Sequence, residues 1–288
     1  MVTDMGLTIR KILVYAVLFA LFAIAIAVLL WLRINPLFIA LMSGGFLFIQ
    51  YFFSDRLVLW STGAKIVSES ESPGLHRMIE DLCNRMGLPK PRIAILNNDM
   101  PNAFATGRSR KHAVVAVTTG LLRALNDREV EGVLAHELSH IKNRDMFVVT
   151  FASFVVSLVS YVIYIVFSSI FSRGEQDYGS SYGAWMISML LSNTLGVILI
   201  NTISRYREYG ADRGSAYATG NPDNLISALK KISGARFPVH DARALESARA
   251  LCISSLHGRS FMELFMTHPP IEKRVAALEK IKSEMRGY

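Results

Sequence analysis

Cysteine is almost missing from this sequence. Cys83 and Cys252 are the only two in 288 residues, and no second thiol lies at metal-ligand spacing from either. That excludes a disulfide-built scaffold and a thiolate-rich structural zinc site. Both thiols are expected to be small buried hydrophobes. Charge is also scarce. Asp, Glu, Lys and Arg make up 19% of the chain against 51% hydrophobic residues, and mean hydropathy is +0.33. That is too apolar for an ordinary soluble domain and too charged for a chain lying wholly in lipid. No internal repeat or low-complexity stretch occurs. The net charge is +8, yet no long basic stretch is interleaved with aromatics, which argues against a nucleic-acid partner.

What the chain has is long hydrophobic runs. Four occupy residues 12–32, 36–53, 146–171 and 184–203, each near or above the ~18–20 residues that span a bilayer core. The first is too long for a signal-peptide core and is followed at once by a second, so it reads as retained. The second is the shortest, and a re-entrant segment is its alternative reading. Arg10, Lys11, Arg56, Lys65, Lys142, Arg144, Arg205 and Arg207 flank the runs on one side, against Arg33 and Arg173 on the other. This asymmetry predicts that both termini face the cytoplasm, with the basic residues against an anionic leaflet. The third and fourth runs carry Ser153, Ser157, Ser160, Ser192, Asn193, Thr194 and Asn201. These predict hydrogen bonds between helices, with a polar groove for a substrate as the alternative.

The runs divide the chain into two transmembrane helices (1–54), a polar segment (55–145), a transmembrane hairpin (146–203) and a second polar segment (204–288). In the first polar segment, Ser72-Pro73 opens a helix that Gly87 closes. Arg92–Leu96, Ala103–Thr106 and Ala113–Thr118 read as short strands. In the second, Asn221-Pro222 begins a helix that Gly234 ends, and Pro269-Pro270 begins a last one through about Ile281. Residues 172–183, rich in Ser, Gly and Tyr, read as an outer loop. Each polar segment is small for a core of its own, so the two are expected to fold together. The expected fold is a mainly α integral membrane protein. It has four transmembrane helices and a cytoplasmic zincin-like α+β domain with a small sheet.

Residues 136–140 read His-Glu-Leu-Ser-His. In a helix, histidines four apart share a face and can hold one Zn²⁺, while Glu137 can take a proton from a water activated there. Helical context supports this. Asn126-Asp127-Arg128-Glu129 reads as a capping box, and Val130, Val133, Leu134, Leu138 and Ile141 recur at helical spacing. A third His six residues after the second, with a Gly between, would complete one zinc arrangement, but Asn143 and Met146 hold those positions. The other arrangement takes a carboxylate from a later helix. The fourth run returns to the same side just before Arg205–Arg213, where Glu208 and Asp212 lie four apart. Alone, they read better as a solvated face among arginines. Paired with HExxH across a transmembrane hairpin, the metal reading is favoured, with Glu208 as third ligand and Asp212 orienting a ligand histidine.

Four motifs now stand in register: HELSH followed by Asn143-Arg144-Asp145, REYGADR at 207–213, NAFATG at 102–107, and Thr267-His268-Pro269-Pro270. Together they resemble the HtpX-type membrane metallopeptidases, relatives of the zinc-dependent CAAX prenyl proteases. The resemblance runs over about residues 10–285. It implies a gluzincin-like endopeptidase with one Zn²⁺ per chain in the prokaryotic cell membrane, acting on misfolded membrane proteins at the cytoplasmic face. By position it implies His136, His140 and Glu208 as ligands and Glu137 as base. It also puts His268 near the site, where it is a candidate oxyanion donor; a helix-capping or core histidine is the alternative. His76, His112, His240 and His257 lack ligand spacing. The strand at Asn102, Ala103, Phe104 and Ala105 is expected at an open sheet edge where an extended peptide adds on; an interior strand with a core Phe104 is the alternative. A prenyl-peptide protease is the rival enzyme reading, and a membrane scaffold with a metal site the rival outside enzymes.

Overall fold

The structure is a computed structural model that describes residues 5–171, 178–234 and 269–287. His240, His257 and His268, residues 172–177, and the side chains of Ser192 and Asn193 lie outside the described residues. The fold is mainly helical with one small mixed sheet, and the chain divides into two compact units.

One unit comprises residues 1–51 and 148–206. It draws on α1 (Met5–Trp31), α2 (Pro36–Thr62), α6 (Asp145–Phe171) and α7 (Tyr178–Thr219). Among the described residues, Ile12–Trp31, Pro36–Phe53 and Asp145–Ser169 are helical, long and apolar enough to cross a membrane. Leu18, Ala25 and Leu29 of α1 pack with Val148, Ala152 and Val155 of α6. Other faces of these helices are equally apolar but open: Phe19 is 67% exposed and Leu41 66%. Side chains this apolar, turned outward along several helices, need lipid rather than water around them. The fourth run lies in α7, which continues unbroken for 42 residues, about 63 Å at the helical rise. Its start at Tyr178 corrects the expected loop at 172–183, because 178–183 are helical. The Tyr182 and Trp185 rings lie 5.7 Å apart there, a contact that favours helix over loop. Ser157, Ser160 and Thr194 donate to carbonyls four residues back in their own helices, a partner that needs no neighbouring helix.

The other unit comprises residues 52–147 and 207–288. Its sheet has the order β1-β2-β4-β3, with β1 (Lys65–Ile66), β2 (Arg92–Leu96), β3 (Ala103–Gly107) and β4 (Ala113–Thr118). β2 and β4 are parallel, and β1 and β3 pair antiparallel on the outside. The two-residue β1 was not foreseen, being too short for any alternation. Helix α3 (Pro73–Met86) ends at Gly87, which takes the left-handed conformation at φ 65. α4 (Thr119–Ala124) leads to α5 (Asp127–Asn143), and α8 (Pro222–Gly234) and α9 (Ile271–Met285) complete the unit. One core joins Ile79 and Leu82 of α3, Val115 and Val117 of β4, Leu134 and Leu138 of α5, Leu229 of α8 and Leu278 of α9. This core holds α5 fixed. Cys83 is buried, and burial pushes its thiol up to about 11, as suits an inert packing residue.

Candidate metal centre

α5 carries His136, Glu137 and His140, and its start is fixed by a capping box. Asn126 Oδ1 accepts from Glu129 N at 3.0 Å, and Glu129 Oε2 accepts from Asn126 N at 2.9 Å. Val130, Val133, Leu134, Leu138 and Ile141 are all buried, which sets the rotation of the helix about its axis. The two histidines therefore aim at one point, with ring centroids 4.8 Å apart. α7 brings Glu208 and Asp212 to that point. Its backbone comes very close to α5 at Gly214, where a Cβ would lie 2.3 Å from Ser139 Oγ and 2.8 Å from Ser139 Cβ. One residue on, Ser215 Oγ donates to Gly132 O at 2.7 Å.

His136, His140 and Glu208 are the cluster among the described residues that could hold a metal ion. His136 Nε2 lies 3.2 Å from His140 Nε2 and 3.4 Å from Glu208 Oε2, and His140 Nε2 lies 3.5 Å from Glu208 Oε1. Tetrahedral ligands at zinc distances of 2.0–2.1 Å stand about 3.3–3.4 Å apart. Tautomers follow from the other ring nitrogens. His136 Nδ1 lies 3.0 Å from Asp212 Oδ1, and His140 Nδ1 2.7 Å from Asp145 Oδ2. Each carboxylate accepts a hydrogen bond from the Nδ1–H of its imidazole, so both Nε2 lone pairs face the Glu208 carboxylate. Three acceptors converging out of water need a cation.

The charge balance agrees. Glu137, Asp145, Glu208 and Asp212 are buried together. Arg274 pairs with Asp212 (Nη2–Oδ1 2.6 Å) and Glu208 (Nη1–Oε2 3.3 Å), and Arg207 Nε lies 3.6 Å from Asp145 Oδ2. With neutral imidazoles, four carboxylates against two guanidiniums leave two negative charges, which a divalent ion would cancel. Burial alone would push the His136 pKa down, but Asp212 and Glu208 outweigh it and raise it to about 9. The pocket thus draws positive charge. Burial pushes the Asp212 carboxyl up, but Arg274 and His136 hold it below the usual range.

Two residues here were not foreseen. Asp145 stands in the sequence as the last residue of the Asn143-Arg144-Asp145 stretch, with no role of its own, yet it is buried against His140. Arg274 is fully buried, and its signal was present: it stands at helical spacing with Leu278 and Ile281, inside the apolar stripe of α9. A charge inside such a stripe needs a buried counter-charge. Strand β3 lies at the sheet edge and packs against α5. Asn102, Ala103 and Phe104 are buried and Ala105 is half-buried, and Phe104 sits in a second cluster with Val58 and Leu59. The strand is thus an edge strand whose Phe104 is also a core residue.

Residues 69–282 match the family model for peptidase family M48. The chain belongs to that family, in its HtpX-type branch. It is 47% identical to Protease HtpX homolog 2 of Methanosarcina acetivorans over 98% of this chain and 97% of that one. It is 46% identical to Protease HtpX homolog of Moorella thermoacetica over the same shares. Its fold is similar to the crystal structure of S. mikatae Ste24p, with TM-score 0.61 and 19% identity over 94% of this chain. This chain spans 65% of the length of that one. In this M48 chain, the family match runs across all of α5 and α7, the helices that carry the cluster, and most of α9, which carries Arg274.

Proposed function

We propose that the chain is a membrane-integrated zinc endopeptidase that cleaves unfolded or damaged membrane proteins at the cytoplasmic face. The observation that carries this is the convergence of His136 Nε2, His140 Nε2 and Glu208, with a carboxylate behind each imidazole. His136, His140 and Glu208 hold the ion, and Asp212 and Asp145 orient the imidazoles. When bound, zinc acidifies a water and polarises the scissile carbonyl. Glu137 follows His136 on α5 and is buried. Its carboxylate accepts the proton of the attacking water and returns it to the leaving amine. His268 is the proposed donor to the developing oxyanion.

The edge strand β3 lies against the HExxH helix. Residues Asn102–Ala105 are proposed to pair with an extended substrate through backbone hydrogen bonds, which tolerate varied sequences. Four membrane spans are proposed, α7 supplying the last, with both termini inside. Residues 55–145 and 204–288 form the catalytic domain in this reading. The test is cleavage of an unfolded membrane protein by the purified full chain, with zinc, with a chelator, and with Glu137→Gln. Glu137→Gln should abolish cleavage while zinc content is kept. Undiminished cleavage by that variant would remove Glu137 from the mechanism. Cleavage of an isoprenylated peptide in its place would favour a prenyl-peptide protease.

A further inference from the structure

The β3–β4 connection, residues 107–112, reads Gly-Arg-Ser-Arg-Lys-His. It is anchored at two points. The Arg108 guanidinium lies over the Phe52 ring, 5.0 Å from its centroid. Phe52 is one residue from the end of the apolar stretch Pro36–Phe53. Arg110 Nη2 donates to Lys142 O near the C-terminal end of α5. Lys142 and Arg144 directly precede the apolar stretch that starts at Asp145. The loop is therefore tied to Phe52 and to Lys142 within its own unit, which places Arg108 and Arg110 beside the end of α5 that carries Lys142 and Arg144.

The loop and the end of α5 carry charge of one sign. Neither 107–112 nor 142–144 contains a carboxylate, and Asp145 is buried and committed to His140. Lys111 and Arg144 are exposed, with no ion pair among the described residues. Arg110 Nε is inaccessible to water and has no hydrogen-bond partner among the described residues. Buried guanidinium donors are normally satisfied. Arg108 and Arg110 are held by ring and carbonyl, so their geometry is set in advance, which suits a multidentate anion.

We infer that this patch binds the phosphate of an anionic phospholipid headgroup, with Arg110, Lys111 and Arg144 as its contacts. An anion there would pair with the exposed Lys111 and Arg144. It would also neutralise cations crowded at the C-terminal end of the helix that carries His136 and His140. Along the chain the patch adjoins the ends of two apolar stretches, Pro36–Phe53 and Asp145–Ser169, which in the membrane reading brings it to the lipid phosphates, a proximity that a free phosphate would not need. The inference rests on the membrane part of the proposed function and not on the peptidase chemistry.

The test reconstitutes the full chain with Glu137→Gln, so that proteolysis plays no part, into phosphatidylcholine bilayers. Spin-labelled phosphatidylglycerol and phosphatidylcholine then report the lipid immobilised at the protein. The original loop should prefer phosphatidylglycerol. Lys111→Gln with Arg144→Asn should cut that preference by about five-fold for each cation removed. Asn is chosen at 144 because that position is left-handed, at φ 58. Lys230→Gln with Lys280→Gln, the same charge change elsewhere on exposed helix, should leave it unchanged. An equal loss in both pairs would overturn the site in favour of net charge alone. No loss in the loop pair would overturn it outright. Competition by millimolar inorganic phosphate would assign the patch to a soluble anion and overturn the lipid assignment. A chain that does not reconstitute would instead sink the membrane reading, and zinc-dependent cleavage is read separately.

Discussion

His140 Nδ1 lies 2.7 Å from Asp145 Oδ2, and the two residues belong to different helices. Arg144 ends α5 in the left-handed conformation, and Asp145 starts α6 at once. The first residue of a membrane-length helix thus orients an imidazole of the candidate metal centre. Asp145→Asn keeps the shape but can present an amide N–H where His140 needs an acceptor. We expect zinc affinity to fall about 10–100-fold, measured by competition with a chelating dye. Unchanged affinity would mean that His140 is oriented by something else.

Arg274 pairs with both Asp212 (2.6 Å) and Glu208 (3.3 Å). Arg274→Met should leave two buried carboxylates uncompensated, a change that costs about 3–5 kcal/mol when one partner of a buried pair is removed. Zinc would neutralise Glu208, so the loss in thermal stability should be larger for metal-free than for zinc-loaded protein. Arg274→Lys should restore little, because an ammonium cannot reach both carboxylates as a guanidinium fork does. Equal melting of Arg274→Met and the original protein without metal would contradict this.

The His136, His140 and Glu208 cluster and the edge strand were legible for a physical reason. HExxH fixes its own geometry through helical spacing, and a strand at 103–106 followed by a turn can be read locally. Asp145 and Arg274 were not read, because their meaning depends on partners 5 and 62 residues away. No spacing rule links Arg274 to Asp212. Only the packing of α9 and α7 in one unit makes that pair. The continuity of α7 was also missed. A Ser- and Gly-rich start at 178–183 looks like loop until ring contacts and the helix beyond it are seen.

Glu129 gives a pH dependence away from the metal. Burial pushes its carboxyl up, but hydrogen bonds from Lys231 Nζ (2.8 Å), Ser227 Oγ (2.6 Å) and Asn126 N (2.9 Å) outweigh it and hold it below the usual glutamate value of 4.5. The unfolded chain therefore binds the proton first. The stability Glu129 contributes is present above pH 4.5 and is lost as pH falls through the lower folded value. The difference in melting temperature between the original and Glu129→Gln should shrink on acidification from pH 7. A constant difference would show that the charge is not what matters.

The Lys and Arg asymmetry predicts that residues near 180 face outward. A single cysteine at Ser180 should be labelled by an impermeant maleimide in intact cells, while one at Glu279 should need permeabilised cells. Cys83 and Cys252 are replaced by Ser beforehand. Labelling in the reverse order would put the metal centre outside the cell and end the cytoplasmic reading.

Gly214 tests whether the approach of α7 to α5 builds the centre. In Gly214→Ala the new methyl would meet Ser139 Oγ at 2.3 Å and Ser139 Cβ at 2.8 Å. Rotating the hydroxyl away removes only the first clash and breaks its bond to Ala135 O, now 2.7 Å. The second is relieved only if the helices separate, which moves Glu208 and Asp212 away from His136. Overpacking of this kind costs about 1–3 kcal/mol, and zinc affinity should fall with it. Ser139→Gly removes the opposing atoms at the cost of about 1 kcal/mol of helix propensity. In a double-mutant cycle, Ser139→Gly with Gly214→Ala should therefore bind zinc more tightly than Gly214→Ala alone. Simple additivity of the two losses would mean that contact between these residues does not set the spacing. Glu208 and Asp212 would then be held in register elsewhere, with Ser215 on Gly132 O as the next contact to break.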